Sequence, residues 1–131
     1  MKSRFVIIIM IGVVMASCSK SKHNTAVGTY KGTFQRQVNG AGAIAPVTIT
    51  FFDQAWQGQS GVDKYPALCR GNQSITGDNI NFDNACVWTA EFDWSIILQG
   101  DYKLTSNDGE HMEFSRDYAN GTKDIYKLTK Q

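Results

Sequence analysis

Three kinds of side chain in this chain carry reactive or ligating chemistry: thiols at Cys18, Cys69 and Cys86, imidazoles at His23 and His111, and the alternate carboxylates Glu91 and Asp93. Same-face neighbours on a strand stand roughly 6 to 7 Å apart, which overlaps the spacing of paired glycosidase carboxylates. Any two alternate acids satisfy that, so the pair does not specify hydrolysis. Neither histidine has a second ligand beside it, and no metal site is expected. No Gly-x-Ser-x-Gly elbow or phosphate loop occurs, and a nucleophilic triad lacks its histidine. The expectation is a protein without catalysis, cofactor or metal.

The stretch Trp88-Thr-Ala-Glu91-Phe-Asp93-Trp94 gathers aromatics and two acids, a composition that suits stacking on a sugar ring with hydrogen bonds to its hydroxyls. The parity that Phe92 and Trp94 share with the apolar positions downstream predicts core places for them instead.

At the N-terminus, Lys2 and Arg4 precede an apolar run from Phe5 to Ala16, in the three-part order of a secretory signal. A spanning helix needs about 20 apolar residues, more than this run has. Met15-Ala16-Ser17-Cys18 resembles the lipobox of bacterial lipoproteins, with Met15 where such sites more often carry Leu. The resemblance implies cleavage before Cys18, acylation of its thiol and amine, and a membrane anchor that does not span. Residues 1–17 are then a signal peptide, 18–27 the lipidated cysteine with a polar tether, and 28–131 one domain. Loss of Lys2 and Arg4 takes two of the 13 basic residues, against 12 acidic ones, and leaves no basic patch for nucleic acid. Ser-Lys-Ser-Lys after Cys18 does not resemble the acidic surface-export signal of some Gram-negative lipoproteins. The expected location is the outer membrane, with the domain facing the periplasm.

The elements that must position these residues are strands. Beyond Gly28 no helical period is sustained, and short alternating stretches are separated by Gly, Asn and Asp clusters. Tyr30, Gly32 and Phe34 alternate with polar residues, as do Val47, Ile49 and Phe51. A turn near Asp53-Gln54 sets Trp56 against Phe51, and Ile96, Leu98, Tyr102 and Leu104 read as one long strand kinked at Gly100. A two-residue turn at Gly77-Asp78 pairs Ile75 with Ile80 and places Cys69 opposite Cys86, close enough for a disulfide in an oxidising compartment. A three-residue loop Asn107-Asp108-Gly109 pairs Leu104 with Met112, Tyr102 with Phe114 and Lys103 with Glu113. A second loop, Ala119-Asn120-Gly121, pairs Phe114 with Tyr126, Met112 with Leu128 and Arg116 with Asp124, and adds Lys127 to the outward charge row. Seven or eight such strands with one apolar face must close, and an all-β antiparallel up-and-down barrel is the simplest closure, with the strands around Tyr30 and Tyr126 paired.

Gly28-Thr-Tyr30-Lys-Gly32 resembles the opening strand of the lipocalin, or calycin, group, with Tyr30 in place of the usual tryptophan and Arg116 as a loose counterpart of its late arginine. Trp94-Ser-Ile-Ile-Leu-Gln-Gly-Asp-Tyr102 is similar to short lipocalin-like lipoproteins of Gram-negative bacteria. The resemblance implies a lumen for a small apolar ligand, lined by Tyr30, Phe34, Phe51, Trp56, Tyr102 and Phe114. Against this, a small barrel rich in aromatics is commonly filled by its own side chains. Ser60-Gly61-Val-Asp-Lys-Tyr65 resembles, with one extra residue, the Ser-Gly-x-x-Tyr loop by which some lipoprotein barrels inhibit lysozyme. The rival expectation is therefore a protein-binding or envelope-maintenance module whose partner is an envelope protein.

Overall fold

The computed structural model describes residues 24–131. Eight antiparallel strands, β1 (Gly28–Val38), β2 (Ile44–Phe51), β3 (Ala55–Ser60), β4 (Arg70–Thr76), β5 (Asn79–Phe82), β6 (Gly100–Asn107), β7 (His111–Asp117) and β8 (Thr122–Lys130), pair in sequence order into a closed up-and-down barrel. Closure runs through β1 and β8, where Phe34 faces Tyr126 and Arg36 faces Asp124.

The alternation read in the sequence builds the inside of the barrel. Tyr30, Phe34, Val47, Ile49 and Phe51 are buried, while Lys31 and Thr33 face outward. Side chains two apart on a strand share a face, so each strand contributes one apolar row and the closed sheet removes all of them from water. Trp56 faces Phe51 across the β2–β3 turn, and Ile75 faces Ile80 across Gly77, whose φ of +58° suits glycine first in a tight hairpin.

Cys69 and Cys86 form a disulfide, with Cα atoms 6.3 Å apart. They lie just past the strand ends, where Asp83 N–H donates to Asn72 O and Ala85 N–H donates to Arg70 O, so the β4–β5 register persists to the bridge. The Cα separation exceeds that of directly opposed ladder residues, because the pairing has loosened there.

Two expectations fail at β6. The β6–β7 register is shifted by a bulge between Leu104 and Ser106: Leu104 faces Phe114, Lys103 faces Ser115, and Met112 faces Asn107. The expected Asn107–Gly109 loop does not form, because the Asp108 carboxylate accepts from Glu110 N at 2.9 Å and His111 N at 2.6 Å, closing a turn one residue later. The bulge absorbs the extra residue and turns Asn107 inward, where its amide donates to Thr25 O. Hence Lys127 joins Glu113 but not Lys103 in the outer row.

The long strand through Ile96 and Leu98 does not form either. Trp94–Ile96 is a short 3-10 helix, capped by Asp93 accepting from Ser95 N, and the strand begins only at Gly100, with φ +84°. Ile96, Ile97 and Leu98 are buried nonetheless, laid across one mouth of the barrel and joined to Ala67 by Leu98 N–H donating to Ala67 O. Three consecutive buried residues cannot belong to a two-sided strand, and a cap lying over the mouth accommodates them.

Candidate functional site

The six residues expected to line a lumen do converge, each 2% exposed or less. They meet one another. The Phe51 ring lies 5.4 Å from Tyr30 and 6.3 Å from Phe82. Phe82 in turn contacts Trp56 at 5.6 Å, Tyr102 at 5.9 Å and Phe114 at 5.2 Å. Phe114 stacks on Tyr126 at 4.7 Å, and Tyr126 reaches Phe34 at 4.8 Å. These are centroid separations of rings in direct contact, so an unbroken aromatic column runs from Tyr30 to Phe34. Burial pushes the Tyr126 and Tyr102 hydroxyls well above the ordinary phenol value. Phe82 and Tyr126 complete the column; the Ala119-Asn120-Gly121 register set Tyr126 opposite Phe114, and no separate motif marked either.

At the mouth under the 94–98 cap, the inward row turns polar. Asp124, 1% exposed, accepts Arg36 Nε at 2.7 Å and Nη2 at 2.8 Å, and the Tyr118 hydroxyl donates to it at 2.8 Å. Such a bidentate guanidinium–carboxylate pair is among the strongest polar contacts available. Arg36 also reaches Asp93 at 3.1 Å and Ser95 Oγ at 2.9 Å, tying the cap to β1. Hydrogen bonding to Asp124 raises the already high Arg36 pKa. Arg116 faces Asp124 in the ladder as expected, but its guanidinium lies 4.0 Å over the Tyr102 ring and donates to Gln99 O. The partner of Asp124 is Arg36, a residue that only the β1–β8 closure could have brought there.

The remaining candidates are dispersed. Asp93 is occupied as the helix cap and by Arg36, and Ser95's hydroxyl and N–H, more than Arg36, hold its carboxyl below the usual range. Glu91 is exposed. Contrary to expectation Trp94 is half exposed, because the chain turns helical there and its parity no longer follows the sheet; its indole N–H donates to Thr89 O at 2.9 Å. Phe92 and Trp88 pack edge-on at 5.7 Å against the outside of the core. Ser60 Oγ donates to Tyr65 O at 2.7 Å, and the Tyr65 hydroxyl donates to Ala43 O at 2.7 Å while its ring packs on Phe34. Ser60 is thus tied into its own loop, and Tyr65 is turned onto β1 and the β1–β2 connection. Exposed His111 has only the Asp108 carboxylate 3.4 Å from Nδ1, and no group of three His, Cys, Asp or Glu side chains converges among the described residues. Cys18 and His23 lie outside the described residues.

Several hollows mark the surface among the described residues. In one, an open groove of about 1010 Å³ over β3, β4 and β5, the outward Gln57, Arg70, Asn72 and Asp83 and the turn residue Phe52 meet Trp56, Phe82, Gly100 and Arg116 of the inner rows. Gly71 also lines it; a Cβ there would come within 1.8 Å of Asp83 O. Trp56, inside the barrel, donates its indole N–H to that same carbonyl at 2.9 Å.

No family model, curated protein or solved structure matches this chain. Its function must be read from its own side chains. The residues foreseen as a ligand pocket form the packed interior; the groove, which Trp56 and Phe82 of that interior also line, was not foreseen. The only sequence signal for it was the run of neutral polar residues in β3 to β5.

Proposed function

We propose that this is a lipid-anchored, lipocalin-like barrel of the bacterial envelope, held to its membrane through Cys18 with the domain in the periplasm. It acts without catalysis, as a binding module whose outer surface meets an envelope partner. The observation that carries this reading is the aromatic column. With Phe51, Phe82, Phe114 and Tyr126 in ring-to-ring contact, a small apolar molecule would have to displace packed side chains to enter the lumen. Opening such a core costs several kcal/mol, comparable to the cost of leaving a cavity of one large side chain. Carriage of an apolar ligand is the other function that the lipocalin resemblance suggests.

Native mass spectrometry of the lipoprotein extracted from its own membrane tests the reading. The expected spectrum is the lipidated chain with no further adduct that denaturation releases. A stoichiometric small-molecule adduct, distinct from the anchor and detergent, would make the protein a carrier and overturn the proposal.

A further inference from the structure

Outward on β2 to β5 stand the neutral polar side chains Thr48, Thr50, Gln57, Asn72, Ser74 and Asn81, with Arg70 among them. The groove borders this wall. Among the described residues no hydrogen bond or ion pair occupies the side chains of Gln57, Arg70 or Asn72, and all three line it. At its lip Phe52 is 47% exposed. That ring sits on a fixed turn: the buried Gln73 amide donates to Phe52 O at 3.1 Å and Asp53 O at 3.3 Å. A second hollow, bordered by Asn24, Thr25 and the Asp53-Gln54 turn, shares Asn72, Asn81 and Asp83 with the first, so the trough continues along β4.

We infer that this groove binds an oligosaccharide; the inference rests on the reading of the barrel as an outer-surface binding module. Planar amides and a guanidinium offer paired donors and acceptors that match neighbouring ring hydroxyls, and an exposed aromatic face accepts the C–H side of a pyranose. The alternatives fit worse. A nucleic acid calls for a row of cations, and Arg70 and Arg116 stand here with Asp83. An amphipathic helix calls for an apolar trough, and Phe52 is the one exposed large apolar side chain on this wall. Joined through Asn72, Asn81 and Asp83, the two hollows leave room for more than one sugar ring in a chain. In the envelope such a chain comes from the peptidoglycan strand or from a lipid-borne oligosaccharide.

The test is a titration of the full lipidated chain, 15N-labelled and held in zwitterionic micelles without sugar headgroups. The probes are an N-acetylglucosamine oligomer and, separately, the core oligosaccharide freed from lipopolysaccharide. The side-chain amide signals of Gln57 and Asn72 will shift with one of them, and the responding probe names the source. Phe52→Ala will weaken that binding roughly tenfold, with its unfolding midpoint held because the ring is exposed. Silence towards both probes, shifts confined to the Trp88–Trp94 loop, or undiminished binding by Phe52→Ala would each overturn the inference. A lumen adduct in native mass spectrometry would remove the parent reading whatever the sugars do, whereas silence with a clean mass removes the saccharide alone.

Discussion

Substituting Gly32 by alanine will force apart the seam at which the barrel closes. A Cβ built on Gly32 falls 1.8 Å from Lys127 O, 2.8 Å from its carbonyl carbon and 2.9 Å from Leu128 Cα. Contacts under 3.0 Å are essentially never made by a real Cβ, so β8 must retreat by roughly 1.2 Å at this point. A ladder hydrogen bond near 2.9 Å does not survive that displacement. Losing two such bonds costs about 2 kcal/mol, and moving Leu128 within a close-packed interior adds at least 1 kcal/mol. The expected loss is about 3 kcal/mol, which in a domain of this size lowers the melting temperature by about 15 °C. Equilibrium urea unfolding followed by tryptophan fluorescence measures the loss, and hydrogen exchange should show the β8 amides near Lys127 losing protection first. Thr33→Ala, at the outward neighbour, is the control and should change stability by less than about 0.5 kcal/mol. If Gly32→Ala unfolds at the wild-type midpoint, the seam is not tight and the argument from close approach fails.

Three further outcomes follow from other parts of the molecule. Asp124→Ala leaves the Arg36 guanidinium, 14% exposed, without its bidentate partner, and should cost about 3 kcal/mol in the same unfolding assay; an unchanged midpoint would show that Arg36 finds solvent instead. Replacing Cys69 and Cys86 together by serine should cost about 3 kcal/mol, the chain-entropy value for a loop of this length, and a retained midpoint would reject the staple. Three carboxyls are held below their ordinary value of 3.8: partly buried Asp108 by the His111 and Glu110 N–H groups, down to about 2, and exposed Asp101 by Asn81 and Asn79 and Asp93 by Ser95. Since their folded values are depressed, the stability they contribute is intact above about 3.8 and is lost as pH falls through the lowered values; urea midpoints should fall over that window, and Asp108→Ala should flatten the fall.

The parts of this structure that were legible in the sequence are those set by local pairing. The Gly77 and Gly121 hairpins, the Phe51 to Trp56 turn and the partnering of the two cysteines all follow from side-chain period and turn chemistry, which act over a few residues. The β6 register was missed because a single side chain, Asp108, captured two backbone N–H groups and moved the turn, and parity arithmetic has no way to weigh that capture. The 94–98 cap was missed because an uninterrupted apolar run reads the same whether it lies in a strand or over a barrel mouth. Arg36 and Asp124 are 88 residues apart; the β7–β8 register places Asp124 in the inward row opposite Arg116, but nothing local selects Arg36 as its partner until closure sets them opposite each other. The groove was hidden for a related reason. Gln57, Arg70 and Asn72 are unremarkable strand exteriors singly, and only the short β3–β4 pairing over Gly71 gathers them.

Closure also governs how copies of the protein behave when crowded. Among the described residues every strand has a hydrogen-bonded neighbour on both sides, so the barrel offers no free main-chain rim for another chain to extend. On the proposed anchor through Cys18, copies would be confined to two dimensions, where encounters between like copies are far more frequent than in free solution. A sheet with open sides would be at risk of growing from molecule to molecule under those conditions; here the backbone is silent to its neighbours, and any recognition on such a crowded surface must come from side chains.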